Sequence, residues 1–298
     1  MNDRGRGLAT AAIALLLASC TAGGSSGHAT GPAPSGTAIP LMTDLPSAIT
    51  HDDALRLFEY DHSLPFDMSE GPVTADGGAE IRPFSYLDMS GKRAQGTLIL
   101  PVGTGPFGAV MFLPGALEGR GEFQPDAVEL AGHGVASLLI DSPELYAIPT
   151  TDREAVAEIV FEMRELRRLV DWLGSRPEID QARLGLFGFS FGAVRAATFA
   201  GVEGGHLKIA ILRSTPPSYN YPAMAPFDPI AWVPYASPCA LYIQEGAQDT
   251  WFTHDEAESL AAAAREPKRL VWYDAGHGLN DQANADYMGW MIAALGPA

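Results

Sequence analysis

The chain has 298 residues, 47% of them hydrophobic, and a formal net charge of −17 at pH 7. This length and composition predict a globular protein with enough residues to bury a sizeable core. The negative charge argues against nucleic acid and anionic lipid surfaces as partners. The sequence shows neither an internal repeat nor a cysteine pair of the kind that binds metal.

The first twenty residues have the pattern of an export signal. Arg4 and Arg6 precede the apolar run 13–17, which is too short to cross a bilayer. The run ends in Leu-Ala-Ser-Cys at Cys20, which resembles a bacterial lipobox and implies cleavage before Cys20 and lipidation of its thiol. An ordinary signal peptide with an incidental cysteine is the alternative.

We therefore predict a lipoprotein signal peptide at 1–19, a flexible tether at 20–43 and one folded domain at 44–298. The tether is predicted from its Gly, Ser, Ala and Pro content. The expected location is extracytoplasmic, anchored by lipid to the bacterial cell membrane, or secreted if the lipobox is not used. Cys239 is then the single remaining thiol, so the domain has no intrachain disulfide.

Apolar runs and helical periodicity predict the elements that follow. The predicted strands are 80–89, 94–100, 109–113, 135–140, 184–187, 207–212, 240–243 and 270–273. The predicted helices cover 123–131, 151–174, 191–200 and 281–295, with a further helix starting at 253–256. The segment 44–67 is interpreted as a helix followed by an irregular stretch of open role. Alternation of apolar strands with helices predicts an α/β domain, with a mostly parallel sheet covered on both faces and an antiparallel edge.

The segment around Ser190 predicts a nucleophile elbow. The apolar strand 184–187 leads into Gly188-Phe189-Ser190-Phe191-Gly192, and small residues of a helix follow. In such an elbow a sharp strand-to-helix turn lifts a serine above the sheet, and glycines permit the tight turn. The alternative is a serine tolerated in a turn for its small size.

A serine hydroxyl needs a base to take its proton, and the base needs a third group to orient it. Asp249 follows the predicted strand 240–243, and His277 follows the predicted strand 270–273. The order serine, aspartate, histidine is the one found in α/β-hydrolases. We predict that Ser190, Asp249 and His277 act together. The competing residues are Glu245, Asp255 and Asp274 for the acid and His254 for the base.

Attack by serine on a carbonyl also requires backbone N–H groups that stabilise an oxyanion. The residue after the nucleophile, Phe191, is expected to supply one of them. The loop after strand 109–113 is expected to supply the other, from Ala116 or, as second choice, Leu117. Pro114 in the same loop has no N–H to donate.

Three further features of the sequence have competing interpretations. Glu118 and Arg120 either line the site or pair with each other at the surface, and the pairing is the expectation. The segment 214–238 is rich in aromatic residues, which form either a lid or acyl pocket or a packed surface excursion. Cys239, at the head of an apolar strand, is expected to be a core thiol.

Five motifs carry a resemblance to a known family. They are Leu113-Pro114-Gly115, Leu130–Gly134, Asp171-Trp172-Leu173, Gly188–Gly192 and Tyr273–His277. From about Tyr60 onward the chain resembles the dienelactone hydrolase and acetyl-xylan-esterase-like branch of the α/β-hydrolase superfamily. The resemblance implies the α/β-hydrolase fold, a triad of Ser190, Asp249 and His277, and hydrolysis through an acyl-enzyme.

The chain departs from that family at two positions. Pro114-Gly115 stands where many relatives have His-Gly, and Ser190 stands where dienelactone hydrolases proper have cysteine. The expected activity is therefore hydrolysis of carboxylic esters with small or medium acyl groups, with no metal or organic cofactor. Thioesterase or acyltransferase activity with the same triad, and a non-catalytic ligand-binding lipoprotein, are the alternatives.

Overall fold

The computed structural model describes residues 50–143, 148–219 and 222–297. The predicted signal peptide, the predicted tether and Cys20 lie outside the described residues. All described residues belong to the unit Ala38–Ala298.

Ten strands and seven helices make up the described part of the chain. The strands are β1 (Ser69–Glu70), β2 (Thr74–Asp76), β3 (Ala79–Leu87), β4 (Arg93–Pro101), β5 (Phe107–Leu113), β6 (Val135–Ile140), β7 (Ile179–Phe189), β8 (Leu207–Arg213), β9 (Ala240–Gly246) and β10 (Lys268–Tyr273). The helices are α1 (His51–Leu57), α2 (Gln124–Gly132), α3 (Asp152–Gly174), α4 (Phe191–Glu203), α5 (Pro229–Trp232), α6 (His254–Ala263) and α7 (Asp281–Leu295). Two short 3₁₀ segments, Pro222–Phe227 and Val233–Tyr235, flank α5.

The strands form a single mixed sheet in the order β1-β3-β4-β6-β5-β7-β8-β9-β10, and β2 also pairs with β3. Strands β5 to β10 pair in parallel. Strands β1 to β4 pair antiparallel, and β4 joins the parallel part through β6. The predicted α/β architecture with an antiparallel edge is confirmed. Because the parallel strands share one direction, their carboxyl ends meet along one edge of the sheet.

Side-chain caps explain where two of the helices begin. The Thr151 hydroxyl accepts the N–H of Glu154 at 3.2 Å at the start of α3. At the start of α6 the Thr253 hydroxyl accepts the N–H of Glu256 at 3.3 Å, and the Glu256 carboxylate accepts the N–H of Thr253 at 2.8 Å. These contacts satisfy amide groups that the first helical turn leaves unpaired.

Helices bury both faces of the sheet. On one face α4 presents fully buried small residues, which allow its backbone to lie close to β7 and β8: Ala193, Ala196, Ala197 and Ala200. On the other face Tyr287, Met291 and Leu295 of α7 are fully buried against apolar residues of the central strands. Covered on both sides, the central strands β5 and β6 are buried along almost their whole length, as expected for a parallel sheet.

Several boundaries differ from the sequence-based expectations. Helix α1 covers only His51–Leu57, and Phe58 at its end packs against the rings of Phe227 and Trp232 at 5.9 and 5.3 Å. Strands β1 and β2 were not predicted, because both are short and exposed and therefore show no apolar pattern.

Most of the described aromatic side chains of the segment 214–238 pack inward, although Tyr235 is exposed. Tyr219, Phe227 and Trp232 are at most 8% exposed, and the Trp232 indole donates to the carbonyl of Pro226 at 2.9 Å. These three rings belong to the core, which favours the packed surface excursion over a lid. Cys239 is fully buried, so the expectation of a core thiol is confirmed.

Candidate active site

Ser190 lies at the sharp turn between β7 and α4. Its backbone has φ +54° and ψ −121°, a strained conformation for any residue with a side chain, and its N–H donates to the carbonyl of Arg213 on β8 at 2.9 Å. A Cβ on Gly188 would lie 2.4 Å from the carbonyl oxygen of Gly192, and one on Gly192 would lie 2.0 Å from that of Leu113. Both flanking glycines are therefore required by close backbone approach.

Three side chains from distant parts of the chain form a continuous series of hydrogen bonds. The Nε2 atom of His277 lies 2.9 Å from Oγ of Ser190, and its Nδ1 atom lies 2.7 Å from Oδ2 of Asp249. The other oxygen of Asp249 accepts the N–H of Trp251 at 2.8 Å. Because an ionised carboxylate only accepts, it places the proton of His277 on Nδ1 and leaves the Nε2 lone pair facing the serine hydroxyl.

Within this series of hydrogen bonds the carboxylate is more deeply buried than the imidazole. The side chain of His277 is 23% exposed, whereas that of Asp249 is 2% exposed. A carboxylate buried this deeply is stable only with hydrogen-bond donors on it, and both of its oxygens have one. The arrangement can therefore take a proton from Ser190 at an accessible imidazole and stabilise the imidazolium from beneath.

The competing residues have other partners. Nε2 of His254 lies 2.9 Å from the carbonyl oxygen of Ala247, and its ring packs on Trp272. Asp274 accepts the side-chain amide of Gln248. Glu245 accepts the N–H of Thr215 at 3.1 Å, and burial raises the pKa of Glu245 well above its ordinary value.

The loop after β5 forms a tight turn beside the elbow. The Gly115 N–H donates to the Glu118 carboxylate at 2.8 Å, and the Glu118 N–H donates back to the Gly115 carbonyl at 3.2 Å. Leu117 has φ +65°, in the left-handed region. The Gly115 N–H is thus engaged, and Ala116 lies at the centre of the turn. Oxyanion donation by the amides of Ala116 and Phe191 stays a prediction.

The expected pairing of Glu118 with Arg120 is wrong. The Arg120 guanidinium instead pairs with Asp141 at 2.6 Å, while the Glu118 carboxylate stays on its own turn. The reason is that Ser142 donates its N–H to the Glu118 carbonyl at 3.1 Å, which fixes the loop against the end of β6. Glu118 is half-buried, and this burial raises its pKa.

Apolar rings surround the imidazole of His277. The ring centroids of Phe189, Trp251 and Phe252 lie 5.4, 5.6 and 6.4 Å from that of His277. Trp251 is 55% exposed, so an apolar face is open to solvent beside the base. Such a surface suits an uncharged, apolar substrate group. Trp251 was not among the residues predicted from the sequence, although its position two residues after the predicted acid was a usable signal.

The described residues contain neither a metal-binding cluster nor a membrane-spanning helix. No cluster of three or more histidine, cysteine, aspartate or glutamate side chains there has the arrangement needed to hold a metal ion. In the same part of the chain, no helix combines the length and apolar character needed to cross a bilayer.

The described domain has close counterparts in shape among solved structures. An acetyl xylan esterase from a Thermoanaerobacterium species superposes with a TM-score of 0.70 over 82% of this chain and 93% of its own, at 14% sequence identity. The fold is the α/β-hydrolase fold. An acetyl xylan esterase from a Paenibacillus species gives a TM-score of 0.66 over 82% and 93% of the two chains, at 17% identity.

A third solved structure similar to the domain is that of an S-formylglutathione hydrolase from Staphylococcus aureus. It has a TM-score of 0.58 and 17% identity, and the match covers 74% of this chain and all of the other. No protein-family model matches the chain, and no curated protein sequence matches it. At these identities the similarity establishes the shared fold.

Proposed function

We propose that the protein is a serine hydrolase that cleaves carboxylic esters through an acyl-enzyme. The observation that carries this proposal is the series of hydrogen bonds from Asp249 through His277 to Ser190, at 2.7 and 2.9 Å. A strained serine at a strand-to-helix turn, an imidazole with a free lone pair and a buried carboxylate are the parts that nucleophilic acyl transfer requires.

In the proposed reaction Oγ of Ser190 attacks the ester carbonyl while Nε2 of His277 takes the hydroxyl proton. Asp249 holds the imidazole in the correct tautomer and stabilises its charge. The tetrahedral oxyanion accepts hydrogen bonds from the amides of Phe191 and Ala116. His277 then donates its proton to the leaving alcohol as the C–O bond breaks. A water molecule, deprotonated by His277, attacks the acyl-enzyme and releases the acid and Ser190.

The site also supports a proposal about the substrate class. The exposed ring of Trp251 lies beside the imidazole of His277 and gives the site an apolar face, and the net charge of −17 disfavours anionic substrates. Two similar structures are named acetyl xylan esterases. We therefore propose neutral esters with small or medium acyl groups as substrates, cleaved by the serine variant of the dienelactone hydrolase-like machinery.

Thioesters are the second candidate substrates. A structural neighbour is named S-formylglutathione hydrolase, and its named substrate is a thioester. Because Ser190 would attack a thioester carbonyl in the same way, rates on matched oxygen esters and thioesters separate the two classes. Repeating both with an acceptor amine distinguishes hydrolysis from acyl transfer.

The nucleophile is tested with a fluorophosphonate probe followed by a substrate screen. We expect the probe to label the wild type and the Ser259→Ala control and to leave Ser190→Ala unlabelled. Ser259 is an exposed serine of α6 whose hydroxyl donates to the backbone carbonyl of Asp255. A screen of p-nitrophenyl esters of increasing acyl length, acetylated sugars and lactones then defines the substrate. Absence of labelling in the wild type would contradict the proposal and favour a ligand-binding lipoprotein.

We further propose that the enzyme is exported and anchored by lipid at Cys20. The Leu-Ala-Ser-Cys sequence ending at that residue supports this proposal. In a bacterial host the Cys20→Ala protein is expected in the soluble fraction and the wild type in the membrane fraction. The matched control is Cys239→Ala, because burial raises the pKa of the Cys239 thiol to about 12 and leaves it unreactive. Unchanged fractionation of Cys20→Ala would overturn the anchor.

A further inference from the structure

Ser214 is the first residue beyond β8, directly under the candidate active site. It is fully buried, and its φ of +49° lies in the left-handed region that residues with side chains rarely adopt. Its N–H donates to the carbonyl of Gln244 on the neighbouring strand β9 at 2.8 Å. Ser214 is therefore held in an unfavourable backbone conformation by the strands around it.

The hydroxyl of Ser214 reaches the loop that carries the imidazole. Its Oγ donates to the backbone carbonyl of His277 at 2.6 Å. The preceding residue, Arg213, accepts the N–H of Ser190 on its own carbonyl at 2.9 Å. Two consecutive residues at the end of β8 thus bind the backbones of both the nucleophile and the base.

The support beneath this dipeptide is itself fixed. The side-chain amide of Gln244, fully buried on β9, donates to the Tyr273 hydroxyl and to the Ala283 carbonyl, each at 2.8 Å. These bonds connect β9 to the end of β10 and to the first turn of α7, the two elements that flank the His277 loop. The end of β8 is therefore a rigid base from which the Ser214 hydroxyl acts.

We infer that Ser214 is a positioning residue that sets the distance between Nε2 of His277 and Oγ of Ser190. This inference rests on the proposed function, because the distance matters only if those two atoms exchange a proton. Glycine would adopt the left-handed backbone at no steric cost, so a residue with a side chain is expected at this position only where that side chain has a role. The bond to the His277 carbonyl provides it. Without the hydroxyl that loop loses its tie to β8 and the imidazole gains freedom to move away.

The inference is tested with two variants that both lack the hydroxyl. Ser214→Ala keeps a Cβ in the left-handed backbone, whereas Ser214→Gly relieves the strain and guards against a failure to fold. For both we expect kcat on a p-nitrophenyl ester to fall about tenfold with KM within about twofold, because misplaced reacting groups slow the chemical step. The Gly variant is expected to melt at a higher temperature than the Ala variant. Rates are expressed per active site, counted by complete fluorophosphonate labelling.

Thr198→Ala is the matched control. Thr198 is also fully buried and its hydroxyl also donates to a distant backbone carbonyl, that of Phe227 at 3.0 Å, but Thr198 lies within α4 and neither of these groups belongs to the His277 loop. We expect it to lower the melting temperature and to leave kcat unchanged. A further readout is the pH dependence of kcat/KM, whose lower apparent pKa should shift in the Ser214 variants and not in the control.

The possible outcomes separate this inference from the proposed function. If the wild type hydrolyses esters and both Ser214 variants keep kcat within about twofold, the positioning role is wrong while the enzyme assignment stands. If the Thr198 control loses kcat as much as Ser214→Ala does, the loss reflects general loosening and the positioning role is again wrong. If the wild type neither hydrolyses esters nor reacts with the probe, the proposed function is wrong, and the positioning role of Ser214 is then wrong as well.

Discussion

Two groups of turns contain left-handed backbone conformations, one group at residues with side chains and the other at glycines. Among the described residues, five non-glycine residues have a positive φ, and four of them follow parallel strands at the edge that carries the site: Leu117, Ser190, Ser214 and Leu279. The glycines with a positive φ lie in the other turns of the sheet and beside α2: Gly77, Gly78, Gly91, Gly103, Gly105 and Gly134.

The difference separates turns without a side chain at the left-handed position from turns that present one there. In the first group glycine adopts the conformation without strain, and a Cβ at Gly105 would also lie 2.7 Å from the carbonyl oxygen of Glu178. At the site edge the chain keeps a hydroxyl at Ser190 and at Ser214, at a cost that such residues carry only when the surrounding structure holds them. Backbone strain in this molecule is therefore concentrated where chemistry is proposed.

The strongest test of this comparison is Ser190→Gly. Loss of the nucleophile is expected to lower kcat by about 10⁵-fold or more, as removal of such a residue does elsewhere. Relief of the strained φ is expected to raise the free energy of unfolding by about 1 kcal/mol. Ester hydrolysis and urea unfolding measure the two effects, and Ser190→Ala is the control that loses activity without the stability gain. Equal stability of the two variants would break the comparison.

The second test extends the comparison to the acids of the site loops. Asp249→Asn leaves the fold intact but no longer fixes the proton on Nδ1 of His277, so kcat is expected to fall by about 10⁴-fold. Asp274→Asn, in the loop that carries His277, changes an acid whose bond goes to Gln248 and should stay within about twofold of the wild type. If both variants lose activity equally, Asp249 has no special role.

The third test concerns the turn between β3 and β4, which belongs to the glycine group. Glu165 of α3 accepts the N–H of Met89 in this turn at 2.6 Å, and burial raises the pKa of Glu165 to about 7. An acid with a raised pKa binds its proton more tightly in the folded state. The free energy of unfolding therefore falls as the pH rises from the unfolded pKa, about 4.5, to the folded pKa.

Glu165→Gln keeps an acceptor for Met89 and removes this titration. The variant is expected to lose this contribution to the pH dependence of stability between about pH 4.5 and 7 and to exceed the wild type above pH 7 by at most about 3 kcal/mol. Loss of the contact with Arg168, 3.6 Å away, reduces that gain. Urea unfolding at a series of pH values measures it, and an unchanged slope in the variant would contradict the role of Glu165.

The smallest effects on stability are expected from substitutions that exchange glycine and a residue with a side chain at left-handed positions of these turns. Leu117→Gly removes a half-exposed side chain and should raise the free energy of unfolding by about 1 kcal/mol. Gly91→Ala, at φ +78° in open space, should lower it by a similar amount, about 1 kcal/mol, because only the backbone is affected. A higher free energy of unfolding in Leu117→Gly together with a lower one in Gly91→Ala would support the comparison between the two groups of turns. A less stable Leu117→Gly protein would count against it.

Much of this fold follows from the sequence for simple physical reasons. Central strands such as β5 and β6 are covered on both faces and are therefore continuous apolar runs, and capping residues such as Thr151 and Thr253 mark helix starts. The spacing around Ser190 predicted the elbow, since only glycine fits at the two flanking positions. The placement of Asp249 and His277 at neighbouring strand ends followed from the parallel topology.

The contacts across loops were not predictable in the same way. Glu118 turns back to its own loop, and Arg120 reaches Asp141, because a backbone bond from Ser142 fixes a turn whose shape no local pattern records. The role inferred for Ser214 depends on a bond between residues 63 positions apart in the chain. Such pairings arise only once the sheet order is fixed, and a single sequence carries no periodic signal of them.

The shared attachment of nucleophile and base to the end of β8 has a dynamic consequence. Thermal fluctuations of the sheet displace whole strands, and groups attached to different strands would then move relative to each other. Here the Arg213 carbonyl holds the backbone of Ser190 and the Ser214 hydroxyl holds that of His277, so movement of this one strand carries both groups along. We therefore expect the proton-transfer distance to vary less than the positions of the two residues themselves.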